Sequence, residues 1–430
     1  MRKREPFSPT SLPKGIRDYL PDMAVRMRRV EGALSRVFEL WGYRKVITPI
    51  IEYLDVLALA EPGLLERMFK FEDRVSGKVL ALRPDITAQI ARLTATHLKL
   101  HPKPLRLSYS GTILHYGESS NDSQRVDYQT GLELIGLDLP EADGEVIAIS
   151  IEALKSTGLT DFKIDVGQVE FFRGVMESLN LLPDQRKEID SIVARKDRSG
   201  LEELLKTLNL NSADEETLLS LPTLFGGRDV LDRADTLKVS GKAKKALENL
   251  SGVLDVVESY GLMDYITIDL GEIRDLHYYT GIIFEGFAAG TGESICGGGR
   301  YDALLSNYGY DTPATGFAIN VETIIKALEN QGKMDSGATT DYLLVNCKQD
   351  KRDALTIAKY CRSRGISVAR DIVKRDMDES KSFAESENIK GLLIVGGESV
   401  SNDEITVYNV DSEEKTVHKI NDLLDGKVDL

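Results

Sequence analysis

Residues 129–136, Gln-Thr-Gly-Leu-Glu-Leu-Ile-Gly, form the stretch that most constrains how this chain can fold. Residues two apart in a β-strand share a face, so the stretch predicts a strand with two different faces. Gln129, Gly131 and Glu133 share one face and leave room above the glycine for a small polar ligand. The other face carries the predicted core residues Tyr128, Leu132 and Leu134. A glycine between polar residues is also typical of a bulge or an edge strand, so the pattern alone leaves both interpretations open.

Length and charge narrow the class of protein. With 430 residues, the chain is long enough for two or three domains, each with its own core. A net charge of −15 argues against a surface built for non-specific phosphate binding, although a local basic groove stays open. The basic N-terminus is followed by no apolar segment, and no run approaches the ~18 apolar residues of a membrane span. We therefore predict a soluble, cytoplasmic protein that does not bind membranes.

No metal site and no cofactor are predicted. His97 and His101 have the spacing of metal ligands on a helix, but no glutamate follows His97 and Pro102 interrupts the chain. The glycines at 297–299 lack the Gly-Lys-Ser/Thr ending of a phosphate-binding loop, so they favour close backbone packing beside a ligand. The cysteines have no paired spacing and predict reduced thiols at Cys296, Cys347 and Cys361.

The N-terminal region predicts a helix followed by a strand. Asp22 suits the N-cap of the helix and Gly42 its C-terminal end. Apolar residues at helical spacing form one stripe, which consists of Met23, Met27, Val30, Leu34, Val37 and Trp41. Residues 46–53 then predict a strand, in which Pro49 marks an edge or an interface position.

Residues 79–87 predict a strand that ends in a polar turn before a helix at 89–98. Asp85 and Thr87 in this turn allow two interpretations. They can cap the helix, or they can offer oxygen atoms to a bound ammonium group. The sequence pattern does not decide between these roles.

The rest of the chain predicts three further regions. Residues 105–115 form a strand that pairs with the strand described first, in an antiparallel hairpin. Residues 1–330 form the first predicted domain, with a helical insertion at about 169–260. Residues 331–340 have linker composition. Residues 341–430 alternate strands and helices and predict a small α/β domain with a mixed sheet, whose 14 basic and 18 acidic residues give a charge of −4.

Several stretches together resemble the histidyl-tRNA synthetase branch of the class II aminoacyl-tRNA synthetases. They are the residues at 14–21, 82–87, 274–280, 298–302 and 316–319, together with the hairpin that ends in Glu133. The resemblance implies an α+β fold: a class II synthetase-like antiparallel sheet of six or seven strands flanked by helices, a helical insertion, and a C-terminal domain like an anticodon-binding domain.

Two positions depart from the synthetase pattern. The motif 2 arginine that grips the α-phosphate of ATP is replaced by His115, and the motif 3 arginine that stacks on adenine is replaced by Thr323. Histidine is mostly neutral at pH 7, and threonine has no charge. Loss of both charged contacts, at ~1.5 to 3 kcal/mol each, corresponds to roughly 100- to 10,000-fold in ATP affinity or rate. We therefore predict that the chain is not an enzyme.

The same resemblance implies that the amino-acid site is retained. Asp85, Thr87 and Gln129 then hold the α-ammonium group of histidine, Glu133 and Tyr279 face the imidazole, and Arg274 lies near the carboxylate. Tyr278, beside Tyr279, belongs to the same predicted site. The contribution of His115 to histidine binding stays open, because many related chains have arginine there. Acids and acceptors for the amine, and a cation for the carboxylate, suit a zwitterionic ligand.

This combination resembles the regulatory subunits of ATP phosphoribosyltransferase, the synthetase paralogues of histidine biosynthesis. Residues 52–55, 85–92, 194–204 and 221–227 favour that family over the synthetases. The resemblance implies a homodimeric core in a hetero-oligomer with the short-form catalytic subunit, feedback inhibition by L-histidine, and no role in tRNA binding. A divergent histidyl-tRNA synthetase is the main alternative, and a synthetase-like sensor of RNA or another enzyme is the third. Many regulatory subunits lack the C-terminal domain, and residues 274–277 depart from the family's usual Arg-Gly-Leu.

Overall fold

A computed structural model describes residues 10–60, 62–116, 124–179, 181–208, 210–237, 239, 241–272, 279–334, 340–373, 375–397 and 401–430. The chain divides into two compact units. The first holds residues 10–17 and 27–334, and the second holds residues 18–26 and 340–430. Two residues of the predicted site, Arg274 and Tyr278, and the turn at 117–123 lie outside the described residues.

The first unit is organised around one large β-sheet. The strands described in this unit are β1 (Arg44–Lys45), β2 (Ile51–Tyr53), β3 (Lys70–Glu72), β4 (Val79–Leu82), β5 (Leu105–Leu114), β6 (Val126–Ile135), β7 (Phe162–Gln168), β8 (Phe225–Gly226), β9 (Ile266–Asp269), β10 (Ile282–Ala288), β11 (Ser294–Arg300) and β12 (Ala314–Asn320). Nine of them form the large sheet, in the order β1-β5-β6-β12-β11-β10-β7-β9-β8. Strands β2, β4 and β3 form a separate small sheet.

The α+β fold is confirmed, but the large sheet is wider than expected and is mixed. Among the six central strands, from β5 to β7 in the sheet order, every adjacent pair is antiparallel. At the two flanks, β1 pairs with β5 and β9 pairs with β7 in parallel. Parallel neighbours need a long crossover connection. Long intervening segments precede β5 and β9, and they supply those crossovers.

Strands β5 and β6 form the predicted antiparallel hairpin. Tyr109 lies opposite Gly131, and Leu107 lies opposite Glu133. On its other side β6 pairs with β12, so that Glu133 also faces Gly316. Leu132 and Leu134 are buried, as predicted for the apolar face. Glu133 therefore lies in the middle of the sheet, between two strands that cover it on both sides.

Helices of the first unit pack on the large sheet, on the small sheet or on one another. Those described are α1 (Pro21–Leu40), α2 (Leu54–Ala58), α3 (Thr87–Leu93), α4 (Pro140–Ser156), α5 (Val169–Ser178), α6 (Pro183–Ala194), α7 (Arg198–Leu205), α8 (Ser212–Ser220), α9 (Asp229–Asp235), α10 (Gly241–Ser259) and α11 (Val321–Asn330). The predicted insertion at 169–260 is helical, from α5 to α10, but it also contributes β8 to the edge of the sheet. The sequence analysis missed α4, most of whose residues are buried.

The N-terminal helix forms as predicted, but it begins at Pro21, so Asp22 lies in its first turn and is not the N-cap; the strand after it is shorter than predicted. The buried residues of α1 are Met27, Val30, Leu34 and Phe38, and Gly42 follows the helix with φ +82°. Residues 46–50, predicted to be part of the strand, form a loop. The Arg83 guanidinium donates to the Thr48 carbonyl at 3.1 Å, and the Gln89 amide donates to the Pro49 carbonyl at 2.7 Å. These side chains satisfy the carbonyl groups of residues 48 and 49. The Val46 amide donates to the Ser108 carbonyl of β5 at 2.8 Å, and the Arg83 amide donates to the Ile50 carbonyl at 3.0 Å.

Helix α11 begins at a side-chain cap. The Asn320 side-chain oxygen accepts hydrogen bonds from the backbone amides of Glu322, at 3.0 Å, and Thr323, at 3.2 Å. We expect Asn320→Ala to lower the free energy of unfolding by about 0.5 to 2 kcal/mol because it removes this cap. Urea unfolding followed by fluorescence of the single tryptophan, Trp41, measures the change. Asn320→Ser keeps a capping oxygen and is the control; equal stability of the alanine and serine variants would contradict the assignment.

The second unit contains the predicted mixed sheet. Its strands are β13 (Tyr342–Asn346), β14 (Val368–Arg370), β15 (Gly391–Val395), β16 (Glu404–Asn409) and β17 (Lys415–Lys419), and its helices are α12 (Arg352–Ser363), α13 (Met377–Ser386) and α14 (Ile420–Leu424). The sheet order is β14-β13-β15-β16-β17, with the first three strands parallel and the last two antiparallel. The sequence analysis missed β17. Among the described residues of the whole chain, no helix is long and apolar enough to cross a bilayer.

Candidate functional site

A cavity of about 830 Å³ lies in the first unit, along the face that β6 and β12 share. Five residues of the predicted histidine site line it: Asp85, Thr87, Gln129, Glu133 and Tyr279. His115, just after the end of β5, also contributes to the wall. The structure therefore brings together residues from the turn before α3, from the hairpin and from the segment before β10. Arg274 and Tyr278 stay predictions, because they lie outside the described residues.

Glu133 is a buried acid in the wall of this cavity and is 1% exposed. One carboxylate oxygen accepts a hydrogen bond from the Thr87 hydroxyl at 2.8 Å, and the other accepts from the Tyr301 hydroxyl. Burial raises the pKa of Glu133 to about 8, and the negative charge of Asp85 adds to that increase. The hydroxyl groups oppose it only in part. A carboxyl group with this pKa mostly carries its proton at neutral pH.

Two glycines fit the strands around Glu133. A Cβ atom on Gly316 would collide with Glu133 Oε2 and with the Leu132 carbonyl oxygen. A Cβ atom on Gly131 would lie 2.6 Å from the Tyr109 hydroxyl. The expectation that Gly131 leaves room for a ligand is therefore wrong, since the Tyr109 ring occupies that space. The ligand space lies further along the strand, between Gln129 and the α3 turn.

Asp85 can serve in both of the roles that the sequence left open. Its carboxylate accepts from the Ile86 amide at 2.7 Å and, more weakly, from the Ala88 amide at 3.4 Å, at the start of α3. It also lines the cavity, where burial raises its pKa although backbone amides counter the effect. Thr87, in contrast, directs its hydroxyl to Glu133. Thr87 therefore orients the acid, whereas Asp85 keeps carboxylate surface for a ligand.

Gln129 presents a free acceptor to the cavity. Its side-chain carbonyl oxygen is buried and has no hydrogen-bond partner among the described residues. A buried polar atom without a partner is unfavourable unless a ligand or water completes it. A ligand ammonium group would do so, because it carries only donors.

His115 lies in the wall of the cavity and is close to an acid. Its Nε2 lies 3.9 Å from Asp127 Oδ2. Burial lowers the pKa of His115, and nearby Arg67 lowers it further, while Asp127 partly opposes the change. The imidazole is therefore neutral at pH 7 and cannot replace an arginine as a phosphate ligand.

Acidic side chains dominate the end of the cavity that His115 and Thr323 line, which we call the outer end. Glu322, at the start of α11, is 2% exposed; it pairs with Arg17 and accepts from the Gln124 amide at 2.7 Å. Lys326, also in the wall, is paired with Glu293 at 3.0 Å. Thr323 is buried and offers no charge. Triphosphate binding requires free cations, and these pairs leave Arg67 as a lining cation without an ion pair among the described residues.

Sequence reasoning missed three residues that shape the site. Tyr301 and Arg17 lie within the stretches at 298–302 and 14–21 that carry the resemblance, so a signal for both existed, whereas no spacing singled out Tyr109. The partner of Tyr301, Glu133, is 168 residues away, and the partner of Arg17, Glu322, is more than 300 residues away. Such long-range pairs depend on strand register, which the sequence pattern does not fix. In the described part of the chain, no cluster of three His, Cys, Asp or Glu side chains is arranged to hold a metal ion.

Comparisons with known proteins agree with the fold. The family model described as histidyl-tRNA synthetase matches residues 15–324. A Geobacter metallireducens protein named ATP phosphoribosyltransferase regulatory subunit is 44% identical, covering 96% of this chain and 95% of its own length. A protein of the same name from Acetivibrio thermocellus is 38% identical, covering 96% of this chain and 98% of its own length. Both relatives thus span nearly the whole chain, including most of the C-terminal region.

Solved structures give the same assignment. A Bacillus halodurans structure described as an ATP phosphoribosyltransferase regulatory subunit/histidyl-tRNA synthetase superposes with a TM-score of 0.80 at 32% identity, covering 91% of this chain and 99% of that one. Histidyl-tRNA synthetase from Nostoc superposes with a TM-score of 0.85 at 24% identity, covering 98% of this chain and 99% of that one, which supports the fold alone. The chain therefore belongs to the histidyl-tRNA synthetase family, within its branch of ATP phosphoribosyltransferase regulatory subunits.

Proposed function

We propose that this chain is a non-catalytic regulatory subunit that assembles with the short-form ATP phosphoribosyltransferase catalytic subunit and binds L-histidine as its feedback effector. The observation that carries the proposal is the contrast between the two ends of one cavity. The inner end keeps a buried acid and free acceptors, whereas at the outer end His115 is neutral, Thr323 has no charge and Lys326 is paired with Glu293. A histidine zwitterion suits the first end, and the second offers a triphosphate few charged contacts.

In this proposal, the ligand's α-ammonium group binds Asp85, Thr87 and Gln129. Its imidazole ring faces Glu133 and Tyr279. The Tyr279 ring packs over Gly299, where a Cβ atom would lie 2.8 Å from a ring carbon, so its position is restricted. Arg274 and Tyr278 complete the site from the segment before Tyr279.

The identities of His115 and Thr323 support the non-catalytic role. In the synthetase motifs these positions carry the arginines that bind the α-phosphate and the adenine. Here one is a neutral imidazole beside Asp127, and the other is a buried threonine next to the Glu322–Arg17 pair. Amino-acid activation would lack both of these charges, and Lys326 at the same end is already paired with Glu293.

A homodimeric core within the hetero-oligomer is part of the proposal. The small sheet and the loop before it expose apolar side chains, with Ile47 86% exposed. Further exposed apolar residues there are Ile50, Ile51, Tyr53, Phe71 and Val79. A contiguous apolar surface of this kind on a chain of net charge −15 favours burial against another polypeptide. Pro49, predicted to mark an edge or interface, lies in the same loop.

ATP and pyrophosphate exchange tests the non-catalytic role directly. We expect the purified chain, given ATP, L-histidine and labelled pyrophosphate, to exchange label at least about 100-fold more slowly than a histidyl-tRNA synthetase assayed in parallel, because two charged contacts are absent. Robust histidine-dependent exchange would contradict the regulatory role and favour a divergent synthetase.

Reconstitution tests the partner. Mixing the chain with a short-form catalytic subunit should produce phosphoribosyl transfer to ATP that neither protein shows alone, and L-histidine should inhibit it. Coupling between effector and assembly is typically ~1 to 3 kcal/mol, or about 5- to 150-fold in affinity. A catalytic subunit that is equally active with and without this chain would contradict the proposed partnership.

A further inference from the structure

The carboxyl group of Glu133 is enclosed by hydroxyl groups rather than by cations. Thr87 and Tyr301 each donate to one of its oxygens, and the Tyr109 hydroxyl lies beside it, against Gly131. The Tyr109 hydroxyl is buried and has no hydrogen-bond partner among the described residues. Within the same set of residues, no lysine, arginine or histidine forms an ion pair with Glu133.

A hydroxyl enclosure suits both protonation states of a carboxyl group. A hydroxyl can donate to the carboxylate, or it can rotate and accept the proton of the neutral acid, whereas a guanidinium can only donate. Titratable groups facing Glu133 are the Asp85 carboxylate from the α3 turn, the Tyr109 phenol from β5 and the Tyr301 phenol after β11; Tyr43 lies further away. Asp85 is the one acid among them, and its charge favours the neutral form of Glu133.

We propose that L-histidine is held at Glu133 through a single proton that the carboxyl group and the imidazole ring share, with Tyr109 as the positioning residue for the ionised form. The inference rests on the proposed histidine site. In the neutral form of the pair, the acid keeps its proton and donates it to the ring nitrogen. In the ionised form, the carboxyl O–H bond breaks as the ring N–H bond forms, which leaves a carboxylate and an imidazolium. The two forms have the same net charge, and the Tyr109 hydroxyl favours the ionised form because it can donate to the carboxylate.

The shared proton makes histidine affinity depend on pH in a specific way. Between the ring pKa near 6.5 and the Glu133 pKa of about 8, the free partners together already carry one proton, so binding exchanges none with the solvent. Below that window the two free partners carry two protons, and binding releases one. Above it they carry none, and binding takes one up. Affinity is therefore highest within the window and falls on both sides.

Titration calorimetry of the full chain with L-histidine tests this inference. Experiments at about pH 5.5, 7.2 and 9, each in two buffers of different ionisation enthalpy, give the number of protons exchanged. We expect release of about one at the lowest pH, none in the middle and uptake of about one at the highest. Glu133→Gln serves as the reference at high pH. The amino group of L-histidine can still take up a proton when it binds this variant, so the difference in proton uptake between the wild type and the variant gives the shared proton alone.

Tyr109→Phe tests the positioning residue. Loss of the hydroxyl destabilises the ionised carboxylate, so we expect histidine affinity at neutral pH to fall roughly 5- to 20-fold. The pH above which the affinity declines should also move to a higher value. Lower affinity without a change in the pH above which it declines would show that Tyr109 acts only through packing, and this would overturn its assignment as a positioning residue. Binding with a flat proton number at all three pH values would overturn the shared proton alone. Absence of binding at every pH would instead overturn the proposed histidine site, and this inference with it.

Discussion

Replacing Glu133 with glutamine should weaken histidine binding roughly 10- to 100-fold and, at the same time, raise the stability of the histidine-free chain. The weaker binding follows from the loss of the carboxylate, the strongest polar partner available to the imidazole in the described cavity. Histidine inhibition of the reconstituted transferase should fall by a similar factor. Calorimetry with L-histidine and inhibition curves measure the two effects.

The stability gain follows from the pKa of the buried acid. The folded-state pKa of Glu133, about 8, lies above the ordinary value of 4.5. Between these values the folded chain holds a proton that the unfolded chain has lost, so the free energy of unfolding falls as pH rises through the window. Near neutral pH this acid destabilises the fold by a few kcal/mol, on the order of its pKa shift. Glutamine has no such proton, so its advantage grows from about pH 4.5 to 8 and then stays constant.

A matched control uses another acid of the same cavity. Glu293 lies at the outer end, where its side chain is 50% exposed and pairs with Lys326. We expect Glu293→Gln to change neither histidine affinity nor the pH dependence of thermal unfolding by a measurable amount, since exposed pairs contribute ~0 to 1 kcal/mol. Wild-type affinity in Glu133→Gln would remove Glu133 from the site. A lower stability of Glu133→Gln than of the wild type at pH 8 would show that burial does not raise the pKa of the Glu133 carboxyl group.

The fold was predictable from the sequence where local patterns coincide with the tertiary arrangement. The alternation of residues 129–136 predicted both faces of β6, and the spacing of Val30 and Leu34 predicted the buried side of α1. Helix α4 was missed because it is buried on nearly all sides, so it shows little of the two-sided pattern that marks surface helices. Of the strand predicted at 46–53, residues 51–53 form β2, whereas Arg83 and Gln89 bind the backbone of residues 48 and 49 from another element.

The site was predictable in its residue types but not in its contacts. Asp85, Gln129 and Glu133 were identified by resemblance, and the structure brings them to one cavity. The hydrogen bond from Tyr301 and the placement of Tyr109 over Gly131 depend on the register of β5, β6 and β12. A shift of one residue would send each side chain to the opposite face, and no local pattern fixes that register.

The largest stability effect should come from Asp143, which forms a buried ion pair beneath this site. Asp143 on α4 is 1% exposed and accepts from Arg300 Nε at 2.9 Å. Arg300, at the end of β11, also donates to the Leu137 carbonyl and to Asp302, both at 3.1 Å. We expect Asp143→Ala to lower the free energy of unfolding by about 3 to 5 kcal/mol, because it leaves the Arg300 charge buried with too little compensation.

A double variant separates a lost attraction from a stranded charge. If the loss arises mainly because Arg300 stays buried without its partner, Asp143→Ala combined with Arg300→Met should recover more than half of it, since replacing a whole buried pair by apolar groups is often close to neutral. Urea unfolding followed at Trp41 reports on this unit, because the Trp41 indole donates to Glu152 on the same helix as Asp143. A double variant less stable than Asp143→Ala would contradict this reasoning.

The ion pair also links the stability of the sheet to histidine binding. Arg300 directly precedes Tyr301, whose hydroxyl donates to Glu133, so anchoring of the arginine fixes the tyrosine that orients the acid. Asp143→Ala should therefore weaken histidine binding even at temperatures where the chain stays folded, by roughly 3- to 10-fold if part of the Tyr301 hydrogen bond is lost. Tyr301→Phe supplies the comparison, because it removes the same hydrogen bond and keeps the ion pair. Equal histidine affinity in Asp143→Ala and the wild type would confine the pair to folding, whereas affinity that falls in both variants would show that α4 supports the site through β11.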